Sequence, residues 1–92
     1  MYRVEFAVHL TYQKGITTFR REEQLPFVPF LGLDILDDAL GQFHLEHVAW
    51  HTESQMFLCQ SSKKYEDWSI QKACRFMGKA RWEEDRESRQ RL

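Results

Sequence analysis

The residues best suited to chemistry lie between positions 44 and 53, where His44, His47 and His51 are accompanied by Glu46 and Glu53. Spaced at i, i+3 and i+7, three histidines on one helix would share a face. They could then hold a zinc ion with a fourth position open to water, the arrangement of a small metal-dependent hydrolase. On a strand the same spacing pulls them apart: His47 and His51 share a face two pleats apart, and His44 points the other way. The intervening Phe43, Leu45, Val48 and Trp50 favour a strand. The expectation is therefore surface or interface histidines, with no catalytic residue and no cofactor assigned. Asp34, Asp37 and Asp38 are close enough in sequence to meet a hard cation, but the glycine and distal glutamate of a calcium loop are missing. The sequence also lacks a glycine-rich phosphate loop, a nucleophile elbow and a His-Glu-x-x-His motif.

The element that must position everything else is Tyr2 to Tyr12. Tyr2, Val4, Phe6, Val8, Leu10 and Tyr12 alternate with Arg3, Glu5, Ala7, His9 and Thr11, which predicts a strand with one apolar wall and one mostly polar face. Gln13-Lys14-Gly15 offers a tight turn with a positive backbone angle at the glycine. A second strand should follow over Ile16 to Arg21, its charged end at a sheet edge. Leu33 to Leu36 reads as a short strand and Asp37 to Leu40 as a turn. Phe43 to Thr52 and Met56 to Ser61 read as two further strands, the first with a bulge or bend near Glu46-His47, where the apolar parity changes.

A helix is predicted from Glu66 or Asp67 to Trp82. Ile70, Ala73, Cys74, Met77 and Ala80 would face the sheet, and Lys72, Arg75 and Lys79 would lie opposite. From Glu83 the chain is almost free of apolar residues. Asp85–Arg89 and Glu87–Arg91 at four-residue spacing suggest a prolonged helix or a charged tail.

Composition bounds the function. Ninety-two residues suffice for one two-layer core. A net charge of −1 disfavours general polyanion binding, leaving nucleic-acid contact by the basic helix face as an unlikely third reading. No window is apolar enough for a membrane span, and the N-terminus lacks a signal-peptide pattern, so a cytoplasmic protein is expected. The two cysteines, Cys59 and Cys74, form no Cys-x-x-Cys pair and are expected to be reduced packing residues. Aromatic residues make up 14% of the chain, more than one small core needs.

Leu25-Pro26-Phe27-Val28-Pro29-Phe30-Leu31-Gly32-Leu33 cannot be a central strand, because its prolines remove two backbone donors. It should wrap an open end of the sheet, expose Phe27 and Phe30 as a sticky surface, or do both. The amphipathic hairpin, this Leu-Pro-Phe-x-Pro-x-x-Gly-Leu element and the short strand pair after it resemble small uncharacterised bacterial proteins, including those carried by mobile gene cassettes and phages. The resemblance covers roughly residues 1 to 60. It implies an accessory or binding protein rather than a housekeeping enzyme, and it brings no catalytic residue.

The expected fold is α+β: a four-stranded, mainly antiparallel sheet, able to curl strongly, with one C-terminal helix on one face. Residues 1–82 would form the domain and 83–92 a charged helical extension or tail. The expected function is binding without catalysis, as a homodimer whose interface uses Phe27, Phe30, Trp50 and Trp82, with a protein partner or a small apolar ligand as further occupants. The alternative is the metal-dependent hydrolase using His44, His47 and His51.

Overall fold

Tyr2–Tyr12 forms the expected one-sided strand, β1, and it is the middle strand of a sheet in the computed structural model, which describes residues 1–91. β1 turns through Gln13 and Lys14 into β2 (Gly15–Leu25), and the two pair antiparallel from Tyr2↔Leu25 to Tyr12↔Gly15. Two short strands, β3 (Asp34–Asp37) and β4 (Gly41–His44), make a separate antiparallel hairpin. The chain then returns to the main sheet as β5 (His47–His51) and β6 (Met56–Lys64), crosses it as helix α1 (Ile70–Lys79), and ends as β7 (Glu83–Arg91). The order across the main sheet is β5-β6-β1-β2-β7.

The fold is α+β with one helix and a mainly antiparallel sheet, but the expected four strands are five, and the sheet is mixed because β6 runs parallel to β1. It is open, with β5 and β7 at opposite edges, and it does not take the strong curl that its sequence allows. The charged segment after Trp82 is not a helical extension or tail; it pairs with β2 as an edge strand. The anticipated helical pairs do not form there. Glu84 instead turns inward and is held by Arg89 across an irregularity in the strand. Leu92 lies outside the described residues.

Two other expectations change for reasons of pairing. β2 runs past Arg21 to Leu25, because β1 pairs with all of it; β7 closes its other side only from Gly15 to Arg20, so the charged half from Arg21 onward lies at an edge, as expected. Gly15 does not take a positive φ. Its role is close approach: a Cβ there would stand 2.2 Å from the Gln90 carbonyl oxygen of β7. The parity change coincides with a bend at Glu46, within the expected bulge or bend near Glu46-His47. At Leu45-Glu46 the chain passes from one sheet to the other, so Phe43 and Leu45 face the core from the hairpin side, and Val48 lies on the main sheet.

Val4, Phe6, Val8, Leu10 and Tyr12 are buried along β1, while Tyr2 stays exposed at the end of the wall. α1 and the β3–β4 hairpin together cover this face. Ala73 and Met77 are buried, with Ile70, Cys74 and Ala80 partly buried beside them, as the helical spacing requires. The helix is shorter than expected. Its cap is Ser69, whose hydroxyl accepts the Lys72 amide, and it ends where Arg81 adopts φ 65°. The Arg81 and Trp82 amides then reach back to the Gly78 and Met77 carbonyls, which is the geometry of a Schellman motif with arginine in the usual glycine position. That reversal turns Trp82 into the core. Among the described residues no helix is long and apolar enough to cross a membrane.

Phe6 is enclosed and meets the Phe43 ring edge-on at 6.1 Å between centroids. Phe6→Ala should therefore lose about 3–5 kcal/mol of stability. Glu5, on the open face with only an Arg20 ion pair, should lose less than about 1 kcal/mol as alanine. Urea unfolding of the two variants checks this, and equal losses would mean that the facing of β1 is misassigned.

Candidate functional site

The strap Pro26 to Gly32 starts beside Tyr2, which pairs with Leu25 on β2, and finishes at Gly32 and Leu33, which exchange backbone hydrogen bonds with Leu45 just before β5. Since β1 and β6 separate β2 from β5, the strap spans both strands between its attachment beside Tyr2 and the one at Leu45, next to the Glu46 amide that bonds Gln60. Crossing divides its side chains. Pro29 is buried, and Phe27, Val28, Phe30 and Leu31 face outward. Closure and exposure both hold.

At the same end, Trp50 on β5 packs against Phe57 of β6 at 5.0 Å between ring centroids, and Phe57 meets Tyr2 at 6.3 Å. These rings lie on the inner face but beyond the reach of the covering layer. Trp50 remains 53% exposed and Phe30 55% exposed, so the apolar surface has aromatic rings on both the strap and the sheet.

Trp82, the fourth expected contact residue, does not belong to this surface. It is 3% exposed, its ring meets Phe43 at 6.1 Å, and the Arg21 guanidinium lies 4.4 Å over it. Its indole N–H donates to the Asp37 carboxylate. Its inward placement has a local cause: the reversal at Arg81 directs the next side chain into the core, although both neighbours, Arg81 and Glu83, are charged.

The histidines are not assembled. His44 sits on β4 in the hairpin, and His47 and His51 occupy opposite ends of β5. His51 Nδ1 accepts the Ser54 amide and lies 2.6 Å from the Ser54 hydroxyl. Among the described residues no three histidine, cysteine, aspartate or glutamate side chains are grouped to hold a metal. Asp34, Asp37 and Asp38 also do not converge on a cation, because Asp37 turns inward to other partners.

Two buried polar networks escaped sequence reading. Asp37 accepts the Ala39 and Leu40 amides at 2.9 and 3.0 Å, the Trp82 indole, and Arg21 Nη1 at 2.6 Å. Burial alone would raise its pKa, but the Leu40 amide, Arg21 and the Ala39 amide together bring it below the ordinary carboxylate value. Glu84 is clasped through Arg89 Nε and Nη2, both at 2.6 Å, and also receives the Thr17 hydroxyl and the Cys74 thiol. The Arg89 contact, opposed by desolvation and aided by Thr17 and Cys74, lowers its pKa to about 2. Burial and the adjacent Glu84 push the Cys74 thiol upward, and burial raises Cys59 to about 11, so neither is an activated nucleophile.

An open cleft of about 750 Å³ lies beyond Tyr12, between Lys14, the start of α1 and the end of β7. The described residues lining it include no acid–base pair, and its Arg89 is committed to Glu84. The basic side of α1 is partly engaged with rings: Lys72 lies over Trp68 and Phe76, and Arg75 over Phe76.

No family model, curated protein or solved structure matches this chain.

The two carboxylates set an acid limit. Their folded pKa values are lowered, so the stability they contribute is present above the unfolded values and is lost as pH falls through the folded ones. For Glu84 that window runs from 4.5 down to about 2. Urea midpoints should be nearly level from about pH 7 to 5 and then decline. Glu84→Gln should be less stable at neutral pH with a shallower acid decline, and an unchanged slope would contradict the assignment.

Proposed function

We propose that this protein is a non-catalytic binding protein that acts as a homodimer through its exposed aromatic surface, with Phe27, Phe30 and Trp50 carrying the contact. The observation behind this reading is that the strap and the edge of the sheet present aromatic rings outward at one end of the molecule, while Phe6, Phe19, Phe43 and Trp82 are enclosed. Apolar patches of this kind on a small protein mark interaction sites. A second copy is the occupant that needs no further component. A small apolar ligand or a protein partner would use the same rings.

Binding also suits the accessory proteins that the first part of the chain resembles. We assign the cytoplasm on the two free thiols, which fit a reducing compartment. The hydrolase reading loses its support, because His44 stands on a different sheet from His47 and His51.

Sedimentation equilibrium at micromolar concentration should give twice the 11.1 kDa chain mass. Phe30→Asp and Trp50→Asp should shift the protein toward monomer while far-UV circular dichroism stays unchanged, because both side chains are already half in solvent. A monomer for the unmodified protein would overturn the homodimer.

A further inference from the structure

We propose that the second copy is held by strand β5, paired edge to edge and antiparallel with its own counterpart about a twofold axis through Ala49. The inference rests on the homodimer reading and specifies its geometry.

Among the described residues the main sheet has two borders, β5 on one side and β7 with the Arg21–Leu25 half of β2 on the other, and they are finished differently. β7 is a poor template: its register slips between Ile16 and Thr18, and the Ser88 hydroxyl accepts the Thr18 amide where a backbone carbonyl would otherwise serve. It also carries charged side chains, which discourage further pairing. β5 pairs with β6 without interruption from His47↔Gln60 to His51↔Met56, and it contains no proline, lysine, arginine, aspartate or glutamate. Nothing on it opposes a neighbour.

The direction of its backbone groups follows from two contacts. The Gln60 carbonyl accepts the Glu46 amide at 2.8 Å, and the Ser62 amide donates to the Glu46 carboxylate at 3.2 Å. The even-numbered residues of β6 therefore turn their backbone groups toward β5. Their partners His47, Ala49 and His51 close the ladder inward, which leaves the N–H and C=O of Val48 and Trp50 pointing out of the sheet.

An added antiparallel strand must match outward groups with outward groups. Pairing Val48 with the partner's Trp50, and Trp50 with the partner's Val48, makes two hydrogen bonds in each pair and places Ala49 opposite its own copy. Registers centred on Val48 or Trp50 would call on Glu46 or Thr52, which lie outside the strand. The Ala49 register alone keeps every pairing within His47–His51. It brings the side chains of Ala49 closest, where the smallest residue of β5 stands. Val48 of each copy meets Trp50 of the other on the inner face, continuing the rings of Phe57 and Tyr2. On the outer face His47 lies across from the partner's His51. No Lys, Arg, Asp or Glu on β5 opposes a like charge, so the edge is complementary to itself.

Ala49→Cys tests the register. Residues opposed in such a pair have Cα atoms about 4.5 Å apart, within disulfide range. Under mild oxidation Ala49→Cys should give a covalent dimer on a non-reducing gel. His47→Cys should not, whereas His47→Cys combined with His51→Cys should. Val48→Pro gives a second test: it removes an outward N–H and leaves the ladder to β6 intact, so the dimer should dissociate at about tenfold lower dilution with unchanged circular dichroism. A dimer by sedimentation that neither cross-links through Ala49→Cys nor weakens in Val48→Pro overturns the edge pairing and leaves the homodimer standing. A monomer overturns both.

Discussion

The carboxylate of Asp37 joins three parts of the chain that lie far apart in sequence. It accepts from Arg21 on β2, from the amides of Ala39 and Leu40 in the turn of the β3–β4 hairpin, and from the indole of Trp82 just after α1. Arg21 reinforces the joint by donating to the Ala80 carbonyl and stacking on the Trp82 ring. The layer over the sheet is discontinuous, made of one two-stranded hairpin and one ten-residue helix. Neither is stable alone at that size. Desolvating an ion pair is unfavourable, so it is tolerated here because every acceptor lone pair of Asp37 finds a donor and the cation has an aromatic face to lie on.

Much of the scaffold was legible because it follows hydrophobic period. β1 alternates at period two over its whole length, and α1 shows its stripe at three and four, so both faces were readable without a partner in view. The strap was readable for a different reason: its prolines exclude it from a ladder, and its apolar content demands a surface to cover. What remained hidden depends on pairing across distance. Glu83 to Arg91 has no apolar alternation, and its strand state comes from the free side of β2 and from inward-turned Glu84 finding Thr17 and Arg89. Trp82 looked exposed among charges because its inward turn depends on Arg81 adopting a left-handed conformation, which a non-glycine residue rarely does. Arg21 and Asp37 are sixteen residues apart, and nothing local tells a buried pair from two solvated charges.

The functional reading follows from what this construction leaves uncovered. The joint at Asp37 gathers hairpin, helix and β2 at the middle of the inner face, and the strap closes one end. Closing that end turns Phe27 and Phe30 outward, and the limited width of the covering layer leaves Trp50 half in solvent. The sheet's two borders divide roles in the same way. β7 is irregular and charged, whereas β5 is regular and presents an apolar ring. The histidines on β5 then belong to the border of a surface.

A double-mutant cycle on Arg21 and Asp37, followed by urea unfolding at neutral pH, tests most directly whether this buried pair holds the second layer to the sheet. Each alanine variant should lose about 3–5 kcal/mol, since it strands the other charge in the interior. The double variant should lose much less than the sum, with a coupling of about 1.5–3 kcal/mol. Small single losses that add independently would contradict the account, because the hairpin and helix would then be held by apolar packing alone.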